Sequence, residues 1–153
     1  MQASTTNGPV GVDGLHGPSL KLETTNGAIQ TSGSWDQAGL DTTNGDIHLA
    51  GLVNDLTADT TNGGIDGTLE SSRSCHESLD TTNGSIAVKV KDQGHGYDLR
   101  GDTTNGKVTI DVEGAKASGK DSQHAQTKDY ASQAVQVTLK AGSTNGDVGL
   151  TSA

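Results

Sequence analysis

A four-residue motif, Thr-Thr-Asn-Gly, recurs along the 153-residue chain and constrains its fold more than any other feature. Six identical copies are followed by a seventh that reads Ser-Thr-Asn-Gly. Their asparagines are Asn7, Asn26, Asn44, Asn62, Asn83, Asn105 and Asn145. The spacings are 19, 18, 18, 21, 22 and 40 residues, so the last gap is about two repeats long. A fixed period of this length is typical of solenoids and related repeat architectures.

Apolar residues flank the motifs at every second position, which is the pattern of strands whose side chains alternate between two faces. Leu40 lies four residues before Asn44, and Ile47 and Leu49 lie three and five residues after it. The alternation between the two faces therefore shifts by one residue at Asn-Gly. The dipeptide must form a bend or bulge that keeps the apolar side chains on one face. Asn and Gly both tolerate the left-handed conformation that we expect at such a corner.

A unit of 18 to 22 residues cannot bury its own apolar face, so we expect the units to stack. Stacking would place strands about 4.8 Å apart and let asparagine amides hydrogen-bond along the axis as a structural ladder. The sequence therefore predicts an all-β, single-stranded β-solenoid (β-helix) of about seven to eight coils, forming one repeat domain over residues 1–153. β-Hairpins closed at Asn-Gly are the alternative, but hairpins predict no fixed repeat length.

The predicted core combines the first Thr and the Asn of each motif with the apolar residues on the same face. Those apolar residues are Leu22, Ile29, Leu40, Ile47, Leu49, Leu56, Ile65, Leu79, Ile86, Val88, Leu99, Val108, Ile110, Val137, Leu139, Val148 and Leu150. The pattern lapses between Ile110 and Val135. Residues 113–133 are therefore predicted to form a degenerate coil or an exposed loop.

Composition alone favours disorder, because Leu, Ile and Val total only 27 residues and the net charge is −9. The repeat overrides that expectation, since stacking buries small aliphatic side chains. The acidic balance and the lack of a basic patch argue against nucleic acid or anionic lipid as partners. No apolar stretch approaches the ~18 residues of a membrane span and no signal peptide opens the chain, so we expect no membrane insertion.

Two repeated columns are expected to point outward. Carboxylates precede five successive motifs, at Glu23, Asp41, Asp59, Asp80 and Asp102. They predict either a solvated acidic stripe, which we favour, or Ca²⁺ bound between coils. The second threonines of the motifs form the other column, at Thr6, Thr25, Thr43, Thr61, Thr82, Thr104 and Thr144. A threonine array is typical of ice-binding solenoids, but its acidic neighbour makes that function the least favoured.

The side chains with catalytic or metal-binding chemistry show no arrangement that marks a site. Cys75 and His76 are adjacent, but neighbouring strand residues point to opposite faces, so we interpret both as ordinary loop residues. The histidines, at positions 16, 48, 76, 95 and 124, share no zinc-ligand spacing. Trp35 is expected to cap the core at a wide turn, with stacking on a sugar as the weaker alternative. We predict no metal and no cofactor.

The runs Leu40–Leu49 and Leu79–Val88 resemble the prokaryotic putative-adhesin family, whose members carry recurring T-x-N-G-x-I units. The closing order is also similar: Gly96–Leu99, a motif, a variable stretch, then Val135–Leu139 and a final Ser-Thr-Asn-Gly-Asp-Val. The resemblance implies a β-solenoid exposed at a cell surface, and it carries no catalytic residues to transfer. The chain departs from the family by beginning directly inside a motif.

The leading functional hypothesis is a non-enzymatic structural or adhesive module of a cell-surface or extracellular protein, with a surface glycan or protein as ligand. The alternative is a polysaccharide-active β-helix enzyme in which Asp59 and Asp80 act as acid and base. Because these acids recur on every coil, nothing in the sequence marks a single active site.

The ends of the repeat lead to a hypothesis on assembly. The first motif starts at Thr5 and the last ends at Gly146, so both terminal coils are expected to lack caps. Uncapped coils would pair head to tail with further copies, as a homo-oligomer or filament. The alternative is a monomer in which residues 113–133 fold over one end.

Overall fold

The structure is a computed structural model that describes residues 1–91 and 93–153. These residues form β-strands almost throughout, with one 3-10 helix over Tyr130–Ser132. Within them, no helix has the length and apolar character that a membrane crossing requires. The strands are β1 (Gln2–Asn7), β2 (Val10–Asn26), β3 (Ile29–Asn44), β4 (Ile47–Asn62), β5 (Ile65–Glu70), β6 (Cys75–Asn83), β7 (Ile86–Val90), β8 (Gly96–Asn105), β9 (Lys107–Val112), β10 (Ala115–Lys120), β11 (Gln123–Gln126), β12 (Gln136–Asn145) and β13 (Val148–Ser152).

Successive coils stack through parallel strand pairing that keeps the repeated motif in register. β1 pairs with β2, β2 with β3 and β3 with β4, so Asn7, Asn26, Asn44 and Asn62 lie in one column. β4 pairs with β5 through its first half and with β6 through its second half. The predicted all-β solenoid is confirmed, because equivalent positions of neighbouring units lie side by side.

The last motif does not lie at the end of the stack. β12 pairs with β6 on one side and with β8 on the other, while β13 lies between β7 and β9. Asn145 therefore lies between Asn83 and Asn105, although it follows both in sequence. The expectation that the last motif forms an uncapped terminal coil is wrong. Insertion pairs both edges of β12 and buries Val137 and Leu139.

A segment of two strands, β10 and β11, covers the end of the stack beside the coil of Asn105. Both strands lie within residues 113–133. β10 pairs antiparallel with β9, and β11 pairs antiparallel with β8. Ala115 and Ala125 of this end segment are buried against the core. This end of the stack is thus closed by the segment in which the repeat pattern lapses.

The core follows the period-two pattern. All seventeen apolar residues of the predicted inward set are buried, and so is the first motif Thr or Ser from Thr24 onward. The prediction that the motif asparagines point inward is wrong, because all seven are exposed. Further buried apolar residues that the pattern missed are Val12, Leu20, Trp35, Ala38, Val53, Ala58, Leu69, Cys75, Val90, Tyr97, Val112, Ala115, Ala125 and Ala141.

The glycine of the motif is required by close packing between coils and not by a left-handed conformation. Of the seven motif glycines, only Gly8 and Gly146 have a positive φ, and none of the asparagines does. A Cβ atom added at Gly45 would lie 1.9 Å from the carbonyl oxygen of Gly27 on the preceding coil. The expected left-handed corner is therefore wrong for most motifs, because a close approach of backbones sets the residue type.

Candidate binding surface

The asparagines of the seven motifs form a hydrogen-bonded ladder on the surface of the solenoid. Nδ2 of Asn26 donates to Oδ1 of Asn7 at 2.9 Å. Five further bonds of the same kind are each 2.8 Å long. They link, in spatial order, Asn26, Asn44, Asn62, Asn83, Asn145 and Asn105. Each amide is thereby held in one orientation, and it keeps a second N–H and further acceptor capacity that the ladder does not use.

From the second motif onward, the first Thr or Ser of the motif fixes the same corner from the inside. Oγ1 of Thr42 donates to the carbonyl oxygen of Gly27 at 3.0 Å, and Oγ1 of Thr60 donates to that of Gly45 at 2.9 Å. Thr24, Thr81, Thr103 and Ser143 make the equivalent bond. These buried hydroxyls satisfy the glycine carbonyls and hold neighbouring corners together.

The second threonine of every motif is exposed, next to its ladder asparagine. Repetition of this Thr-Asn pair on stacked coils produces two parallel polar columns at the ~4.8 Å spacing of paired strands. The acidic residues that precede the motifs form a third column. We call these three columns together the ladder face.

The acidic column is interrupted by the inserted coil. Glu23, Asp41, Asp59 and Asp80 lie in register on successive coils, and Gly142 then separates Asp80 from Asp102. The pKa of Asp59 is raised by partial burial and, to a smaller extent, by the carboxylates of Asp41 and Asp80. Asp59 and Asp80, the acid and base of the enzymatic alternative, are thus direct neighbours in the stack.

Two other acidic residues of this column, Glu23 and Asp102, are engaged locally. Lys21 Nζ lies 2.8 Å from the Glu23 carboxylate, and the Ser122 hydroxyl, between β10 and β11, donates to Asp102. In the part of the chain that the structure describes, no three His, Cys, Asp or Glu side chains are grouped as a metal site would require.

Cys75 and His76 begin strand β6, so their interpretation as loop residues is wrong. The turn lies just before them and ends at Ser74. Cys75 is buried and His76 is exposed, on opposite faces of the strand. Burial raises the pKa of the Cys75 thiol to about 11, against the opposing effect of a hydrogen bond with Ser71. The pair therefore lacks the geometry and the acidity of an activated nucleophile.

A buried carboxyl group, Glu77, lies two residues beyond Cys75, and sequence analysis did not single it out. Oε1 accepts a hydrogen bond from Ser71 Oγ at 3.2 Å, while Oε2 is buried and has no hydrogen-bond partner among the residues that the structure describes. Burial raises the pKa of Glu77 to about 8, and the nearby Asp55 carboxylate adds to the shift. The period-two pattern through Cys75 and Leu79 places residue 77 on the inward face, and that signal could have identified it.

The histidines lie on different coils and faces. His48 Nδ1 lies 2.6 Å from Asp66 Oδ1, and His124 Nε2 lies 2.8 Å from Asp98 Oδ1. His16 and His76 are exposed, and the ring of His95 lies near that of Tyr97 with centroids 6.3 Å apart.

Trp35 is buried in the core and therefore offers no ring surface for a sugar. It packs over Gly17, where an added Cβ atom would lie 2.9 Å from the indole carbon Cζ3. Its Nε1 is buried and has no hydrogen-bond partner among the described residues.

Comparisons with known proteins agree with this architecture. The structure is similar to the crystal structure of a putative cell adhesion protein from Clostridium sporogenes, with a TM-score of 0.58 and 12% sequence identity. The similarity covers 88% of this chain but only 55% of the other one, so the chain spans little more than half the length of that protein. No curated protein matches the sequence. The family model described as Toastrack DUF4097 matches residues 1–151. The chain therefore belongs to the Toastrack (DUF4097) family.

Proposed function

We propose that the chain is a non-enzymatic, rigid module of a cell-surface or extracellular protein, and that it adheres through its ladder face. The observation that carries this proposal is the ladder itself, in which each asparagine amide is held by its neighbours at 2.8–2.9 Å. A fixed array of repeated polar groups can make many weak contacts with a repetitive partner, and such contacts together give high avidity. The fold similarity to a putative cell adhesion protein supports the same role.

The adhesive role is tested by placing a large charged side chain in the middle of the ladder face. Thr61 is exposed next to Asn62, whereas Thr57 is exposed on the same coil but outside the three columns. We expect Thr61→Arg to abolish binding to immobilised surface proteins, and Thr57→Arg to leave it intact. Equal binding by both variants would contradict adhesion through this face.

The enzymatic alternative rests on one observation, the raised pKa of Asp59 beside Asp80. Two neighbouring carboxyl groups in different environments are the arrangement from which an acid and base pair can be built. We expect no turnover of polysaccharides. Reproducible turnover that is lost in Asp59→Asn and in Asp80→Asn would overturn the non-enzymatic part of the proposal.

The proposal also includes self-association, which would take place through the first coil. Among residues 1–91 and 93–153, β1 pairs only with β2, and the first half of β2 pairs only with β3, so this coil presents an open edge. Met1 and Leu15, which are 57% and 46% exposed, lie on it. The opposite end carries exposed Lys116 and Lys120 on β10, and charges at a sheet edge oppose further pairing.

We therefore expect the 153-residue chain to pair through the open edge, and filaments to form only where the opposite end, with its charged strand β10, is also engaged. Light scattering over a wide range of concentration and salt distinguishes the outcomes. A dimer supports pairing at the open edge, and a continuous rise in mass supports filaments. A species that stays at 15.5 kDa at high concentration would contradict self-association.

A further inference from the structure

A groove runs across four coils on the strand segments that follow the Asn-Gly corner, outside the ladder face. It encloses about 310 Å³. One wall is formed by Gln30, His48 and Asp66, which lie in register on successive coils. Asp13 and Ser32 form the other wall. Four coils correspond to a length of about 14 Å at the spacing of paired strands.

The groove coincides with a break in the repeat. The pairing of β2 with β3 shifts register between Val12 and Leu15, and this irregularity carries Asp13 and Gly14. The bulge brings Asp13 to the groove, where it accepts a hydrogen bond from the Ser32 hydroxyl. The Ser32 hydroxyl in turn accepts one from Gly14 N at 3.0 Å. Bulges often redirect a side chain at a functional site, and this one lies in an otherwise regular stack.

A second irregularity lies in the core beneath the same groove. The inward column contains Val12 and Leu49, but the residue between them is Thr31. Thr31 is only 4% exposed, and its hydroxyl has no hydrogen-bond partner among the described residues. An apolar side chain would pack better at such a position, so core packing does not explain this threonine.

The polar groups of the walls are held in place before any ligand arrives. His48 Nδ1 and Asp66 Oδ1 are 2.6 Å apart, and the Asp13–Ser32 contact fixes the opposite wall. The side-chain amide of Gln30, in the same wall as His48 and Asp66, makes no hydrogen bond to a described residue. Gly11 and Ala50 leave the groove open along its axis, because neither has a side chain large enough to block it.

We infer that this groove binds a neutral oligosaccharide chain lying along the solenoid axis. Sugar hydroxyls both donate and accept hydrogen bonds, and the walls offer carboxylate acceptors, an imidazole and an unpaired amide to match them. Asp13 and Asp66 carry negative charge in the groove, and the chain carries −9, so uronic, sialic and phosphorylated glycans are repelled. The inference is independent of the proposed adhesion through the ladder face.

The experiment measures binding of soluble neutral, anionic and cationic oligosaccharides of equal length to the whole chain by calorimetry. We expect neutral oligosaccharides to bind, and His48→Ala and Gln30→Ala each to weaken them about tenfold, a typical loss for one hydrogen-bonding group. His124→Ala is the matched control, because His124 forms a comparable pair with Asp98 outside the groove. It should bind as the unaltered chain does, and circular dichroism confirms that all variants are folded.

The groove assignment is wrong if His48→Ala and Gln30→Ala bind neutral oligosaccharides as tightly as the unaltered chain does. It is also wrong if no neutral oligosaccharide binds. Binding of cationic oligosaccharides alone, with an affinity that falls as salt is added, would contradict it as well, because the net charge of the chain would explain such binding. Thr61→Arg separates this result from the adhesion proposal. Loss of glycan-array binding in Thr61→Arg alone supports the ladder face and contradicts the groove.

Discussion

The Glu77 carboxyl accepts a hydrogen bond from the Ser71 hydroxyl at 3.2 Å in the interior of the solenoid. Glu77 lies in register between Leu56 and Leu139, so it replaces an apolar side chain in a core column. Its second oxygen is buried with no hydrogen-bond partner in the described part of the chain, and only 3% of the residue is exposed. A group in this position is tolerated while it is protonated and becomes costly once it ionises.

We therefore predict that stability falls as pH rises, and that Glu77→Gln removes much of this fall. Burial raises the pKa of Glu77 to about 8 in the folded chain, against 4.5 for an ordinary carboxyl. Below pH 4.5, Glu77 is protonated in both the folded and the unfolded state. Between pH 4.5 and about 8 it ionises only in the unfolded state, so the free energy of unfolding falls. Above about pH 8 it is ionised in both states, and no further stability is lost. Denaturant melts should show the variant to be more stable at pH 8 by several kcal/mol, on the order of 4.

At pH 4 we expect Glu77→Gln to match the unaltered chain within about 1 kcal/mol, because both side chains are then neutral. Glu113→Gln is the control, since Glu113 is exposed on the surface. It should not change the pH profile. A profile of Glu77→Gln that runs parallel to that of the unaltered chain would contradict the assignment of the fall to this carboxyl.

Sequence alone predicts which side chains of each strand are buried, because their burial depends only on the local alternation of apolar and polar residues. Leu40, Ile47 and Leu49 are buried as the period-two pattern requires. The exposure of Asn44 could not be predicted in this way, because the alternation of buried and exposed side chains does not continue across the Asn-Gly corner. Glu77 falls on the inward face by the same pattern, but the usual cost of burying a charge argued against placing it there.

The order of the coils could not be predicted, because every motif offers the same pairing surface. Asn83 would accept either Asn105 or Asn145 as its neighbour, with the same hydrogen bond in the ladder. The choice depends on how residues 113–133 fold over the end, and those residues lack the repeat pattern. The groove was missed for a related reason, since the bulge between Val12 and Leu15 leaves no mark on the motif.

The ladder gives a second prediction, that Asn62→Ala destabilises the fold by about 1–2 kcal/mol. Asn62 donates to Asn44 and accepts from Asn83, each at 2.8 Å, so the variant loses two hydrogen bonds and interrupts the column. Thr61→Ala removes an exposed hydroxyl next to it and should change the free energy of unfolding by less than about 0.5 kcal/mol. Urea titrations of both variants measure the difference. Equal stabilities would show that the ladder contributes little.

Close packing of the corners gives a third prediction. In Gly45→Ala the new Cβ atom would lie 1.9 Å from the carbonyl oxygen of Gly27, so neighbouring coils must separate. We expect a loss of about 3 kcal/mol or more in the free energy of unfolding. Gly39→Ala is the control, because a Cβ atom there meets nothing within 4 Å, and its stability should change by less than about 1 kcal/mol. Thermal melts that shift equally for both would contradict the packing argument.

The buried thiol gives a fourth prediction, that the native chain resists alkylation at Cys75. The residue is 3% exposed, and burial raises its pKa to about 11, so very little thiolate forms at neutral pH. Iodoacetamide should modify the chain only at the rate at which it opens, and at once in denaturant. Rapid labelling of the folded protein, followed by mass spectrometry, would show that this part of the core is accessible.

Insertion of the last coil also determines the order in which a growing polypeptide can reach its final structure. When β8 and β9 leave the ribosome, their neighbours β12 and β13 have not yet been made. The first five motifs can therefore assemble as they emerge, whereas the sixth must wait for residues 136–152. Residues 136–152 thus complete the solenoid from within the stack. Their arrival joins the two parts of the solenoid, so a shortened product would expose the sheet edges of β6 and β8, both of which invite aggregation.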